Sequence, residues 1–344
     1  MVNSFNHFRA LAIIFIVAGH SLSLFRDMAA SELGLIFKNL VFGGTILFVF
    51  ISGFLYHHVF YKKTSYFDFM IKKIRNVFFP YLFFSFFPIA FYIYFSKDIN
   101  SGFYLPNGLG FFNQYVVPYF KYLLTGRFLT AYWFIPFVIL LFSLSPIYDL
   151  FIKLDIRKKA FYLILLFFVS ILMHRPIENI NTLQSYIYFI PVYLFGITCS
   201  IYRDFIYDKL QGKELFVLFV VLVISSFQVF TGHVGSYHKA PLVFTTIDLM
   251  FIQKIFMCLF FMVLFHRYED YNNKLIDLIA ATSFSVYFIH PFFIVLLGKL
   301  DALTGFQSGY FFIIFVSALM FICVAIAFIV KYCIPKYSRF LTGF

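Results

Sequence analysis

Residues 8–21 read FRALAIIFIVAGHS. Ten residues, every one apolar or glycine, lie between Arg9 and His20, and the apolar character runs on to about residue 25. A helix needs about 20 such residues to cross a bilayer. The same texture recurs along the chain, bounded by charges, Gly or Pro, and predicts helices at about 40–60, 77–95, 132–151, 160–174, 186–202, 215–231, 248–265, 278–298 and 310–332. Composition agrees: of 344 residues, 62% are apolar and only 12% are charged, with a mean hydropathy of +0.90. A soluble domain carries about a quarter charged residues, so a cytosolic enzyme, a disordered chain and a nucleic-acid binder are excluded. The expectation is an all-α, polytopic integral membrane protein of about ten transmembrane helices. It is expected to form a single membrane domain over residues 1–344, with no separate soluble domain. The first helix has the basic start and apolar middle of a secretory signal. It runs directly into the polar Gly19-His20-Ser21 element, which a disposable leader does not need.

The formal charge of +12 reports orientation. With the N-terminus inside, eighteen of the 27 Lys and Arg fall on the inner side of a ten-span layout and nine on the outer. That bias places both termini in the cytoplasm. The longest gap, residues 96–131, is then external, and Tyr115 to Leu124 suits the interface. Cys199, Cys258, Cys323 and Cys333 fall in apolar stretches without paired spacing and read as reduced packing residues.

Ionisable groups within spans are costly and point to function. Arg9 and His20 are eleven positions apart, three helical turns plus roughly 20°, so they share a face about 16 Å apart along the axis. One helix face thus carries an anion-binding guanidinium near the cytoplasmic headgroups and a proton acceptor deep inside. Ser52-Gly53 permits close helix approach, and His57 and His58 read as interface residues. In KKIRNVFFPY, Lys72 and Arg75 are three apart, share a helix face and can bind phosphate. Ser283, Tyr287 and His290 form one helical stripe that should face the bundle interior. His174, His233, His238 and His266 receive no role. No GxSxG, HExxH, Walker loop or Cys/His metal spacing is present in the sequence, so no metal is expected and any catalysis must come from the membrane residues.

FRALAIIFIVAGHS resembles the opening helix of the membrane acyltransferase-3 family, with its Arg and His separated by ten residues. The resemblance continues through FVFISGFL, KKIR, YWFIPFVILL around Trp133, and SFSVYFIHP, and so covers the chain from end to end. Lys72 replaces the first Arg of the family's inner motif, and Phe284 stands where a Tyr is common. Ile46 sits where many members are acidic, which is similar to the short branch acting in exopolysaccharide and capsule modification. No C-terminal esterase-like domain, as larger members have, is expected.

The resemblance implies transfer of an acyl group, usually acetyl from cytoplasmic acetyl-CoA, to a hydroxyl of a cell-envelope sugar, in the plasma or inner membrane. Acyl-CoA is then the donor substrate, with no bound cofactor. The acceptor is an envelope glycan or lipid-linked sugar, and membrane lipid and glycan-biosynthesis proteins are the other partners. Arg9, Lys72 and Arg75 would hold the CoA phosphates. His20, with Arg9 on its face, would be catalytic, either as base for the acceptor hydroxyl or as carrier of the acyl group. Ser52, Trp133, Ser283, Tyr287 and His290 would line or support the site. A polysaccharide exporter or polymerase component, and a small-molecule transporter or structural membrane protein, are the competing readings.

Overall fold

The computed structural model describes residues 3–25, 31–95, 102–104, 108–243, 246–300, 303 and 305–344. Helix α1 (Asn3–Ser21) ends in a 3-10 turn over Leu22–Leu24. Helix α2 (Glu32–Val41) starts at Ser31, whose hydroxyl accepts from the Gly34 N–H and satisfies an otherwise unpaired helix donor. Gly43, at a φ of +76°, turns the chain into α3 (Thr45–Leu55). Helices α4 (Tyr66–Lys73) and α5 (Phe79–Phe95) are joined by a π turn over Ile74–Phe78, so the expected span at 77–95 begins a full segment earlier. Helix α6 (Val117–Thr125) lies in the long connection, part of which falls outside the described residues.

Helices α7 (Phe134–Ser143) and α8 (Ser145–Ile152) meet at a 56° bend, where Pro146 opens the second helix. Then come α9 (Ile156–Met173), α10 (Thr182–Ile201) and α11 (Arg203–Leu210), which meets α12 (Glu214–Phe230) at 87°. Helices α13 (Leu249–Arg267), α14 (Lys274–Lys299), α15 (Gly309–Cys333) and α16 (Ser338–Thr342) complete the bundle. A parallel bridge between β1 (Arg175–Pro176) and β2 (His238–Lys239) ties the loop after α9 to the loop after α12.

Among the described residues, seven helices are long and apolar enough to cross a membrane, or nine if each bent pair is one span. The chain is an all-α, multi-pass membrane protein. Helix α9, the remaining one of the ten expected, has 18 residues but carries Arg157, Lys158 and Lys159 in its first turn.

Helix α1 packs against α14, α13, α3 and α15. Phe5, Phe8, Ile13 and Val17 on it are buried. Helices α3 and α10 approach most closely at Gly53 and Gly196, where a Cβ would overlap the Tyr193 and Phe50 carbonyl oxygens respectively. That is the close packing expected of Ser52-Gly53. Cys199, Cys258 and Cys323 are buried free thiols. Cys333 is the exception: it closes α15 and is exposed.

Candidate active site: two cavities at the ends of one helix

Helices α1 and α14 run in the same direction. Asn3 donates to the Glu269 carbonyl at 2.8 Å, Asn6 meets Asp277 at 3.3 Å, and Arg9 donates to the Ser283 hydroxyl at 3.1 Å. Eleven residues beyond Arg9, the His20 ring lies 5.5 Å from the His290 ring. The α14 stripe read from the sequence therefore accompanies the Arg9–His20 face, with Ser283 at one end and His290 at the other.

The two ends of that face open into different cavities. The larger, about 740 Å³, is lined by Arg9, Lys72, Lys73, Lys331 and Arg339 and by no Asp or Glu among the described residues, with Ser52, Tyr56 and several phenylalanines completing its wall. Its volume falls within the range of small-molecule sites. Lys73 lies over three rings, with Nζ 4.4 Å from the centre of Phe142, 4.8 Å from Phe60 and 5.1 Å from Phe69, an arrangement that holds an ammonium by its attraction to ring faces. Arg339 comes from α16. The Ser285 hydroxyl fixes that helix by donating to the Thr342 carbonyl at 2.8 Å, and the Phe79 ring packs on Phe340.

Arg75 does not line this cavity and is exposed. The shared face expected for Lys72 and Arg75 assumed about 3.6 residues per turn, but Arg75 lies inside the π turn, which is wound more widely and turns it away. Lys73 takes its place. Neither Lys331 nor Arg339 could be singled out by spacing, because both reach the site from the far end of the chain.

The smaller cavity, about 380 Å³, holds His20 with Thr130, Trp133, Arg175, Asn179, Ser236, His238 and Lys38. His20 Nδ1 is 3.1 Å from the Thr130 hydroxyl. With that nitrogen donating to Thr130, the other ring nitrogen carries the lone pair and is the basic one. Thr130 is held in place by its neighbours. Tyr287 donates to the Ala131 carbonyl, and Tyr132 donates to the Phe288 carbonyl at 2.6 Å, so the turn before α7 is fixed to α14 on both sides of its chain. Only glycine fits at position 126, where φ is +68° and a Cβ would overlap the Tyr132 carbonyl oxygen. Tyr287 thus supports the site from behind. His290 Nδ1 is bonded to the Val286 carbonyl at 2.8 Å, and its buried Nε2 has no hydrogen-bond partner among the described residues.

Lys254, buried in α13, donates to the Asn39 and Leu40 carbonyls at 3.1 and 2.6 Å and satisfies the end of α2 beside Gly43. Asn39 in turn accepts from the Gly235 N–H at 2.8 Å, which sets the loop that carries Ser236. Sequence reading missed Thr130, Arg175, Asn179, Ser236 and His238. All five lie on connections, where no periodicity marks them.

The two cavities are separated by a thin layer. Thr45 lines the His20 cavity and Phe48 the cationic one, three residues apart on α3, or about 4.5 Å of rise. Trp133 and Phe134 divide in the same way, and Trp133 is stacked on Phe189 at 5.8 Å. The arrangement can hold a polyanion at one end of α1 and a basic imidazole at the other, with one turn of side chains between them.

The family model for acyltransferase-3, described as an acyltransferase domain, matches residues 2–332. No curated protein and no solved structure matches the chain.

Proposed function

The chain belongs to the acyltransferase-3 family, and from that premise we propose that it moves an acetyl group from cytoplasmic acetyl-CoA to a hydroxyl of an envelope polysaccharide, of the capsule or exopolysaccharide kind. The observation that carries this reading is the pair of cavities: five cations with no Asp or Glu among the described residues at the Arg9 end, and His20 at the other. The diphosphate and 3′-phosphate of CoA need several cations, and guanidinium and ammonium groups bind phosphate by charge-assisted hydrogen bonds. A polysaccharide exporter has no need of such a site opening toward the cytoplasm.

In this account Arg9, Lys72, Lys73 and Arg339 hold the phosphates, and the pantetheine arm runs along the α1 face toward the Thr45–Phe48 layer. His20 takes the proton of the acceptor hydroxyl as its oxygen attacks the thioester carbonyl. The carbon–sulfur bond breaks, the ester forms, and the proton passes to the departing thiolate. Ten spans, both termini in the cytoplasm and a place in the plasma or inner membrane complete the proposal. The parallel course of α1 and α14 supports this layout, since it needs an odd number of spans between them and the ten-span arrangement has seven.

The test is chemical analysis of the envelope polysaccharide from cells with and without the protein. The expected result is an alkali-labile O-acetyl ester that disappears with the protein and returns with the wild-type chain. Unchanged ester content would remove the polysaccharide acceptor.

A further inference from the structure

Arg175 is the cation of the His20 cavity that the acyl-transfer chemistry does not use. It follows α9 in β1 and is 9% exposed. Its guanidinium carbon lies 4.8 Å from the centre of the Trp133 ring, and its terminal nitrogens donate to neutral acceptors, the Ser236 hydroxyl at 2.8 Å and the Asn179 side-chain carbonyl at 3.0 Å. Its Nε has no hydrogen-bond partner among the described residues, and no described carboxylate lies within ion-pair distance. Asp248 is near enough for its charge to act on Arg175 but makes no direct ion pair with it: it accepts from the Tyr188 hydroxyl at 2.9 Å and from the Phe251 N–H at 2.8 Å.

A second cation, Lys38 of α2, reaches the same cavity, and no Asp or Glu among the described residues lines it. Buried charges in proteins are paired, because removal from water is expensive. A neutral sugar needs aromatic faces and neutral hydrogen-bonding groups. It gives no reason to keep a guanidinium without a carboxylate in contact, and an ammonium, around a catalytic histidine.

We propose that this cavity selects acceptor sugars that carry an anionic oxygen substituent, a carboxylate or a phosphate, and that Arg175, assisted by Lys38, receives it. The proposal rests on the acyl-transfer reading and names the acceptor class for it. Trp133 then serves twice, as the plate under the guanidinium and as part of the wall beside the sugar. Asn179 and Ser236 keep the guanidinium plane at a fixed angle, which suits the forked recognition of a carboxylate or phosphate.

The test uses the full chain in nanodiscs of neutral phosphatidylcholine. Its three probes are methyl glucuronoside, the methyl ester of that glucuronoside, and glucose 1-phosphate. Binding is followed by saturation-transfer NMR without turnover, and acetyl transfer from labelled acetyl-CoA is followed separately. At least one charged probe is expected to bind ten times or more tighter than the neutral ester, and which one does so identifies the source of the anion. Arg175→Gln should remove that preference, Arg175→Lys should keep part of it because an ammonium lacks the fork, and Lys38→Gln should weaken it less.

Equal binding of all three probes, no binding of any, or an Arg175→Gln chain that keeps the preference would overturn the proposal. If Arg175→Gln fails to fold, the charged-to-neutral ratio of the wild-type chain decides alone. A preserved charge preference without any acetyl transfer would count against the acyl-transfer reading and leave the anion site standing.

Discussion

His20→Ala is expected to lower acyl transfer by about 100- to 10,000-fold, the usual range for loss of a positioned general base, while the protein still inserts and accumulates. His20 lines a cavity, so removing its ring enlarges an existing space and opens no new void among packed side chains. Its Thr130 partner is exposed, and the turn that carries Thr130 is held independently by Tyr132 and Tyr287. Thr130→Val should therefore cost less than His20→Ala and should act on the rate at saturating donor, because it removes only the group that orients the imidazole. The check is acetyl transfer per milligram of purified chain at saturating acetyl-CoA. Transfer within threefold of wild type for His20→Ala would place the chemistry elsewhere.

The second large effect concerns the donor. Neutralising Lys73 and Arg339 together should raise the KM for acetyl-CoA at least tenfold, with a smaller fall in the rate at saturation. Each charge-assisted contact is worth roughly 1.5 to 3 kcal/mol before screening. An interaction present equally in ground and transition states appears in KM. Raised salt should mimic part of the defect in the parent chain, since at about 0.15 M the Debye length is about 8 Å and the mouth of the cavity is wetted. Arg75→Gln should leave the donor KM within about twofold, because Arg75 lies outside the cavity. Steady-state kinetics on the three chains decide it. A shift caused by Arg75→Gln and not by the double variant would return the donor site to the face that the sequence alone suggests.

That contrast shows what could be read from the sequence. The Arg9–His20 face follows from helical periodicity alone, because α1 is an unbroken helix of 19 residues. Periodicity also gives the Ser283–Tyr287–His290 stripe on α14. It fails at Arg75, since a π turn changes the residues per turn without any warning in composition. It says nothing of Thr130, Arg175 or Arg339, which reach the site by the course of the chain between helices.

The ten long apolar stretches are helical as read, but α2, α4, α11 and α16 were not legible, and helix ends were less legible than the helices themselves. Helix α4 continues into α5 through charged residues that look like a boundary, and α11 meets α12 at 87° where Gly212 takes a φ of +83°. That Arg9 and His20 open into separate cavities was not legible at all, because it depends on Phe48, Trp133 and Phe134 filling the space between them.

The proposed transfer brings donor and acceptor together at that layer from opposite ends of α1. Its most direct measurement uses sealed proteoliposomes with the Arg9 end of the chain facing outward, labelled acetyl-CoA added only outside, and an acceptor oligosaccharide enclosed inside. Acetyl ester is expected on the enclosed acceptor while CoA thiol appears outside, and none of either with His20→Ala. Ester formed only when donor and acceptor share one compartment would contradict that transfer.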